Sequence, residues 1–206
     1  MKRVSYIVVV ILICPLLSFT QVELVPQAGY MFGGTLSFYE GDFRIQDGAS
    51  YGGSIIVPDF QFETDLEINY TRMDSEGRFR SYYNRPEFHD STFKMSTNYI
   101  QVGVLKTFGT NDQIRPFGSL SLGTTIFSPK NNISSTWRFS VALGAGAKIY
   151  LTDRVGIILR GRLLMPMYFG GVGFYVGSGG SGLSLNSYAT MLQGDFSGGL
   201  IFSLGR

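Results

Sequence analysis

The residues in this sequence that first invite a chemical reading are His89 and Ser91, in the stretch FHDST. At a spacing of i, i+2 they share one face of an extended strand. An imidazole beside a hydroxyl is the start of a base-and-nucleophile pair, which also needs a carboxylate to orient the base. Asp90, between the two, points the other way in an extended segment, and the sequence places no other carboxylate there. The chain has one histidine and one cysteine, Cys14. Carboxylates alone are left to ligate a metal, so no metal site is expected, and no pattern calls for a cofactor.

A second group stands out by where it occurs. Lys148, Arg160 and Arg162 interrupt the apolar run SVALGAGAKIYLTDRVGIILRGRLL, and Glu63, Asp65 and Glu67 punctuate FQFETDLEINY. A charge taken out of water has to be paired. Such carboxylates and cations together can form a proton or ion path, or a gate. The plainer reading is a packed polar core, and that is the expectation carried forward.

The pattern around these residues says what positions them. Residues 1–20 read as a secretory signal peptide: MKR gives a positive start, VSYIVVVILICPLL an apolar core, and SFT a run toward cleavage before Gln21. The apolar core is shorter than the roughly 20 residues a spanning helix needs. Cleavage would remove Cys14, leaving no thiol and no disulfide framework. It would also remove Lys2 and Arg3, taking 17 basic residues to 15 against 15 acidic ones. The mature chain is then formally neutral, and no nucleic-acid partner is expected.

From residue 21 onward the dominant signal is alternation with period two. Trp137, Phe139, Val141, Leu143, Ala145, Ala147 and Ile149 fall on one face, and Arg138, Ser140, Ala142, Gly144, Gly146 and Lys148 on the other. Eight such segments run over 22–38, 47–57, 60–73, 94–108, 115–127, 135–151, 155–168 and 188–204. Short connections (PD at 58–59, GTNDQ at 109–113, TDR at 152–154) alternate with longer ones at 39–46, 74–93, 128–134 and 169–187. An even strand count with short turns at one end predicts an all-β fold, an eight-stranded antiparallel up-and-down transmembrane β-barrel with short periplasmic turns and long extracellular loops. It forms one domain over 21–206. A soluble barrel would turn its apolar face inward. Here the charged face is also the small-residue face, which suits a crowded interior, while the bulky aliphatic face suits lipid.

Turn lengths then fix register, because cross-strand partners share a face. The TDR turn pairs Ile149 with Ile157 and Leu143 with Leu163 outside, and sets Arg160 opposite Gly146 and Arg162 opposite Gly144 inside. The PD turn pairs Val57 with Phe60 and Ile55 with Phe62 outside, and sets Glu63 opposite Ser54, Asp65 opposite Gly52 and Glu67 opposite Ser50 inside. The third and seventh strands lie on opposite walls, so Asp65 and Glu67 are expected to meet Arg160 and Arg162 across the lumen. Lys148, Glu23 and Asp195 are expected close by, with Arg138 nearer the outer mouth. A lipid-facing Arg or Lys at mid-membrane would cost about 2–4 kcal/mol, and so narrow an interior is filled by its own side chains. The lumen is expected to be plugged.

The last strand, SGGLIFSL, carries Ser197, Gly199, Phe202 and Leu204 at the spacing polar-x-Gly-x-x-aromatic-x-hydrophobic. This resembles the C-terminal signal read by the barrel assembly machinery, although Gly205 and Arg206 follow where many such signals stop at an aromatic. With the leader, the strands and the alternating connections, residues 21–206 are similar to the OmpA/OmpX-like superfamily of small outer-membrane barrels. The resemblance implies a bacterial outer-membrane location among lipid and lipopolysaccharide, with insertion by the assembly machinery and the long loops outside the cell. Members differ in role, from membrane integrity to adhesion. A non-enzymatic structural or surface-interaction role through 74–93 and 169–187 is therefore expected, with a narrow small-solute channel or carrier as the alternative.

The 74–93 segment mixes Arg78, Arg80 and Arg85 with Phe79, Tyr82, Tyr83 and Phe88, a composition suited to sugar, phosphate or protein contact. The 169–187 segment is glycine-rich and expected to be a mobile loop. Finally, His89-x-Ser91 is weakly similar to the His-x-Ser of outer-membrane lipid A deacylases, with Thr92 where that family has asparagine. This makes a lipid A-modifying enzyme a further alternative.

Overall fold

In the computed structural model, residues 21–37, 41–81, 91–109, 113–130, 135–177, 180–189 and 191–205 are described. Residues 1–20, expected from the sequence to be a leader, and His89 and Asp90 lie outside them. In chain order the strands are β1 (Val22–Met31), β2 (Thr35–Ser37), β3 (Gly41–Ile45), β4 (Gly48–Gln61), β5 (Thr64–Ser81), β6 (Ser91–Thr107), β7 (Ile114–Pro129), β8 (Thr136–Tyr150), β9 (Val155–Gly177), β10 (Gly180–Ala189) and β11 (Gln193–Leu204).

Eight of these form a ring in the order β1–β4–β5–β6–β7–β8–β9–β11, closed by β11 on β1. The pairings are antiparallel throughout. Closure gives each strand a neighbour on both sides, so backbone polar groups find partners within the sheet, as a bilayer requires. The remaining strands add to the long-connection end, where the β2–β3 hairpin pairs onto β5 and β10 pairs onto β9.

The faces divide as the alternation implies. Leu24, Ile55, Ile68, Ile100, Val102, Leu122, Leu143, Leu159 and Leu200 are 38–53% exposed and together make a continuous apolar band around the ring. A band of that extent is a lipid-facing surface. Aromatics mark its margins, with Phe60, Phe62 and Phe108 toward the short turns and Tyr30, Tyr51 and Trp137 toward the other end. The alternate residues point inward and are buried.

On β8 and β9 the register is the one the TDR turn implies: Ile149 opposite Ile157, Leu143 opposite Leu163, Gly146 opposite Arg160 and Gly144 opposite Arg162. At β4–β5 it differs. The chain does not reverse at Pro58 and Asp59. It continues through a bulge to Gln61, turns at Phe62–Glu63, and pairs Val57 with Leu66, Ile55 with Ile68 and Ser54 with Asn69. Asp59 adopts a φ of 52°, and its amide donates to the Asp65 carboxylate at 3.3 Å, which absorbs the irregularity. Expected partners are thus displaced by six residues, an even number, so the two faces are preserved. Val57, expected to face lipid, is instead buried.

The long connections are also more regular than expected. β5 continues to Ser81 and pairs with β6 as far as Phe79 opposite Ser91. Most of 169–187 is the β9–β10 hairpin, paired out to Gly177 opposite Gly180. β5, β6 and β9, of 18, 17 and 23 residues, exceed the roughly 9–11 that cross hydrocarbon. They therefore continue beyond the membrane as sheet.

Candidate functional site

Inside the barrel, inward residues change character along each strand. From the short-turn end, β9 presents Ile158, Arg160, Arg162 and Leu164, and β5 presents Asp65, Glu67, Asn69, Thr71 and Met73. Glu67, Asn69, Thr71, Arg160 and Arg162 therefore lie between two apolar plugs, with Asp65 level with the inner one. The inner plug is Val25, Ile56, Leu105, Phe117, Ile158 and Ile201. The outer one is Met31, Ile45, Met73, Met95, Tyr99, Ala142, Leu164 and Met191.

Three buried cations organise the polar residues. Lys148, 1% exposed, lies nearest the inner mouth and donates to Glu23 at 2.9 Å and to Asp65 at 2.8 Å. The Tyr150 hydroxyl donates to the other Glu23 oxygen at 2.6 Å. Arg160 spans the lumen to Glu67 at 2.6 Å, with a long contact to Ser54 at 3.4 Å. Arg162 donates from Nε and Nη2 to one oxygen of Asp195 at 3.0 and 2.7 Å. It also reaches Asn69 at 2.7 Å and Thr71 at 2.9 Å. Ser50 and Ser197 complete the shell of Asp195.

Of the residues singled out in the sequence, Asp65, Glu67, Lys148, Arg160 and Arg162 come together in the lumen, as do Glu23 and Asp195. Glu67 takes Arg160 across the lumen, whereas Asp65 takes Lys148 and not an arginine, and Arg162 takes Asp195, its register partner on adjacent β11. Glu63 is not a lumen residue. It occupies the β4–β5 turn with its side chain 91% exposed, paired to Lys106 at 3.0 Å, because the turn falls on it and not on Pro58–Asp59. Ser197, Gly199, Phe202 and Leu204 lie on β11, where Phe202 and Leu204 face outward. Ser91 opens β6 opposite Phe79, and its expected partner His89 is outside the described residues.

Tyr150, Ser50, Ser54, Asn69 and Thr71 were not anticipated; alternation places them inward but carries no signal that they bond charges. Gly144 and Gly146 make room for the arginines. A Cβ at Gly146 would stand 2.2 Å from the Leu159 carbonyl and 2.7 Å from the Phe117 ring. Several inward atoms have no protein partner, among them Gln27 Oε1, Gln101 Nε2, Gln193 Nε2 and Arg160 Nε. Buried polar groups of this kind are where isolated waters bind.

A cavity of about 620 Å³ opens at the short-turn end, lined by Glu23, Asp65, Arg115, Lys148, Tyr150 and Arg154 among others. Arg115 stacks over the Tyr150 ring at 5.1 Å. Among the described residues no group of three or more His, Cys, Asp or Glu is placed to hold a metal ion.

No family model matches the sequence, and no curated protein matches it. Solved structures do. The crystal structure of Neisserial surface protein A is 14% identical, with 89% of this chain and 96% of that one covered, at a TM-score of 0.56. The solid-state NMR structure of outer membrane protein AlkL in DMPC lipid bilayers is 9% identical, covering 91% and 92%, at a TM-score of 0.54. At such identities the likeness is one of fold. In fold the chain is a small eight-stranded antiparallel β-barrel, like these outer-membrane proteins.

Proposed function

We propose that the protein is an integral barrel of a bacterial outer membrane, sealed along its axis. It serves a structural or surface-interaction role through the segments 74–93 and 169–187, and catalyses no reaction. The observation that carries this reading is the lumen. A channel needs a hydrated path. Here the ion pairs of Arg160 and Arg162 lie between two apolar plugs, the Lys148 pairs lie level with the inner plug, and each of these buried cations is held by a carboxylate.

The extended β5–β6 and β9–β10 hairpins supply the surface. They continue the barrel wall outward as sheet, paired as far as Phe79 opposite Ser91 and Gly177 opposite Gly180. Insertion by the assembly machinery through Ser197, Gly199, Phe202 and Leu204, and contact with lipopolysaccharide at the outer rim, belong to the same proposal.

The experiment pairs gel migration with surface labelling. The folded barrel should migrate differently boiled and unboiled, and a tag placed within 82–90 should be labelled on intact cells. Identical migration together with an unlabelled tag would overturn the reading. A lipid product present in cells with the wild-type chain and lost on His89→Ala would replace it with the enzyme alternative.

A further inference from the structure

Methionine is unevenly divided between the two apolar plugs. The inner plug has none, whereas Met31, Met73, Met95 and Met191 make up half of the eight buried residues of the outer one. They are four of the six methionines after residue 20, and they arrive from β1, β5, β6 and the segment before β11. The other two, Met165 and Met167, are half-buried on the outward face of β9, alternating with the buried Leu164 and Pro166.

Register brings the four thioethers toward one another. Met73 and Met95 face inward on successive inward rungs of β5 and β6, with Met73 opposite Thr97 and Met95 opposite Ser75. Diagonal neighbours of this kind lie about 7–8 Å apart, within reach of long side chains. Met31 stands opposite Gly48, and a Cβ on Gly48 would lie 3.7 Å from the Met73 Sδ. At Gly34, just beyond Met31, a Cβ would overlap the Met191 Sδ. Two sulfurs thus lie over glycines beside Met31. Filling irregular gaps is the usual work of methionine, but it does not account for the hydroxyls among these side chains. Thr97 Oγ1 and Ser75 Oγ are buried without a partner, and Thr97 is wholly buried. They are the direct partners of Met73 and Met95, so thioethers and hydroxyls alternate around one square. Unpartnered hydroxyls in a dry apolar plug are destabilising.

We propose that the outer plug binds a soft monovalent cation of the Cu(I) or Ag(I) class. Thioether sulfur is a ligand for such ions, whereas carboxylates and carbonyls suit harder ones. Uncharged sulfurs in a buried site suit a single positive charge better than a double one, whose desolvation costs more. Met31, Met73, Met95 and Met191 supply the ligands, and the hydroxyls of Ser75 and Thr97 bond the water that accompanies the ion. An ion seated there completes the outer plug and leaves the lumen closed. The site depends on the barrel's register and not on the role of its outer segments.

The test uses the full barrel, verified as folded by its unboiled gel position, in chloride-free detergent buffer with isotope-labelled methionine methyl groups. Silver(I) nitrate is titrated in and followed by NMR and calorimetry. The methyl signals of Met31, Met73, Met95 and Met191 should move together and saturate at a single equivalent, while those of Met165 and Met167 stay in place. Zinc(II) and magnesium(II) should move none of them. Met73→Leu with Met95→Leu should weaken silver binding about tenfold or more, since losing even an outer-shell partner costs a metal site about 10–100-fold. Met165→Leu with Met167→Leu is the control and should bind as the wild type does. Leucine is close to methionine in volume, so both paired variants should fold, and the wild-type methyl shifts decide the matter without any variant. No silver-dependent shift in the wild type, shifts as large at Met165 and Met167, equal affinity in the two paired variants, or zinc(II) bound as tightly as silver(I) would each overturn the proposal.

Discussion

Replacing Glu67 by glutamine should strand Arg160 in the middle of the barrel. The two side chains are 2.6 Å apart, with side-chain exposures of 2% and 3%. At that distance the Coulomb attraction is about 6 kcal/mol for an effective dielectric of 20, and desolvation of the two ions takes back several kcal/mol for each. The intact pair is therefore worth little against an apolar pair of the same shape, but a lone member is expensive. Arg160 has no good second partner, since Ser54 is at 3.4 Å and its Nε is unsatisfied. Glu67→Gln should thus cost about 3 kcal/mol and Arg160→Met about 3–5 kcal/mol. The double variant should cost no more than either alone, a coupling of roughly 3 kcal/mol. The Arg72–Asp74 pair, equally well formed at 2.9 Å but about one-third exposed, should give a coupling of about 1 kcal/mol or less in the same cycle. The assay is urea unfolding in lipid vesicles followed by Trp137, the single tryptophan, whose ring faces outward. If the Glu67 and Arg160 effects simply add, the pair is uncoupled and the reasoning about the lumen is wrong.

Other predictions follow from the packing and the turns. Gly146→Ala should lose about 1–3 kcal/mol by overpacking, because its new Cβ would meet the Leu159 carbonyl and the Phe117 ring. Gly118→Ala, whose nearest new contact is Phe108 at 3.5 Å, should be neutral or gain up to about 1 kcal/mol; unboiled gels along a urea series read both. At the β4–β5 turn, Glu63→Gln should change stability by about 0.5 kcal/mol or less, since its partner Lys106 is also exposed. Glu63→Gly should instead stabilise by about 1 kcal/mol, because Glu63 holds a φ of 54° that favours glycine.

How much of this was legible in the sequence depended on contrast between the two faces of each strand. β8 and β9 alternate aliphatic with small or charged residues, and three residues join them, so their register follows from the turn. Within it, the rule that a long charged side chain faces a glycine placed Arg160 and Arg162 correctly. The β4–β5 turn was misplaced because Pro58–Asp59 carries strong turn chemistry, whereas Phe62–Glu63 carries none and turns only because both residues adopt left-handed backbone (φ 52° and 54°). Moving that turn removed Glu63 from the lumen. The outer reach of β5 was hidden because DSEGRFRS is polar on both faces, and that of β9–β10 because glycine blurs the period. Asp195 emerged as the partner of Arg162 only through β9–β11 pairing. Those strands are separated by a long hairpin whose length does not set their register.

The central claim is that the lumen is sealed by its own side chains, and planar-bilayer recording tests it most directly. Barrel verified as folded by its unboiled gel position should insert and leave the membrane electrically silent under applied voltage. Discrete, reproducible conductance steps from the same folded material would contradict the claim and establish the protein as a channel.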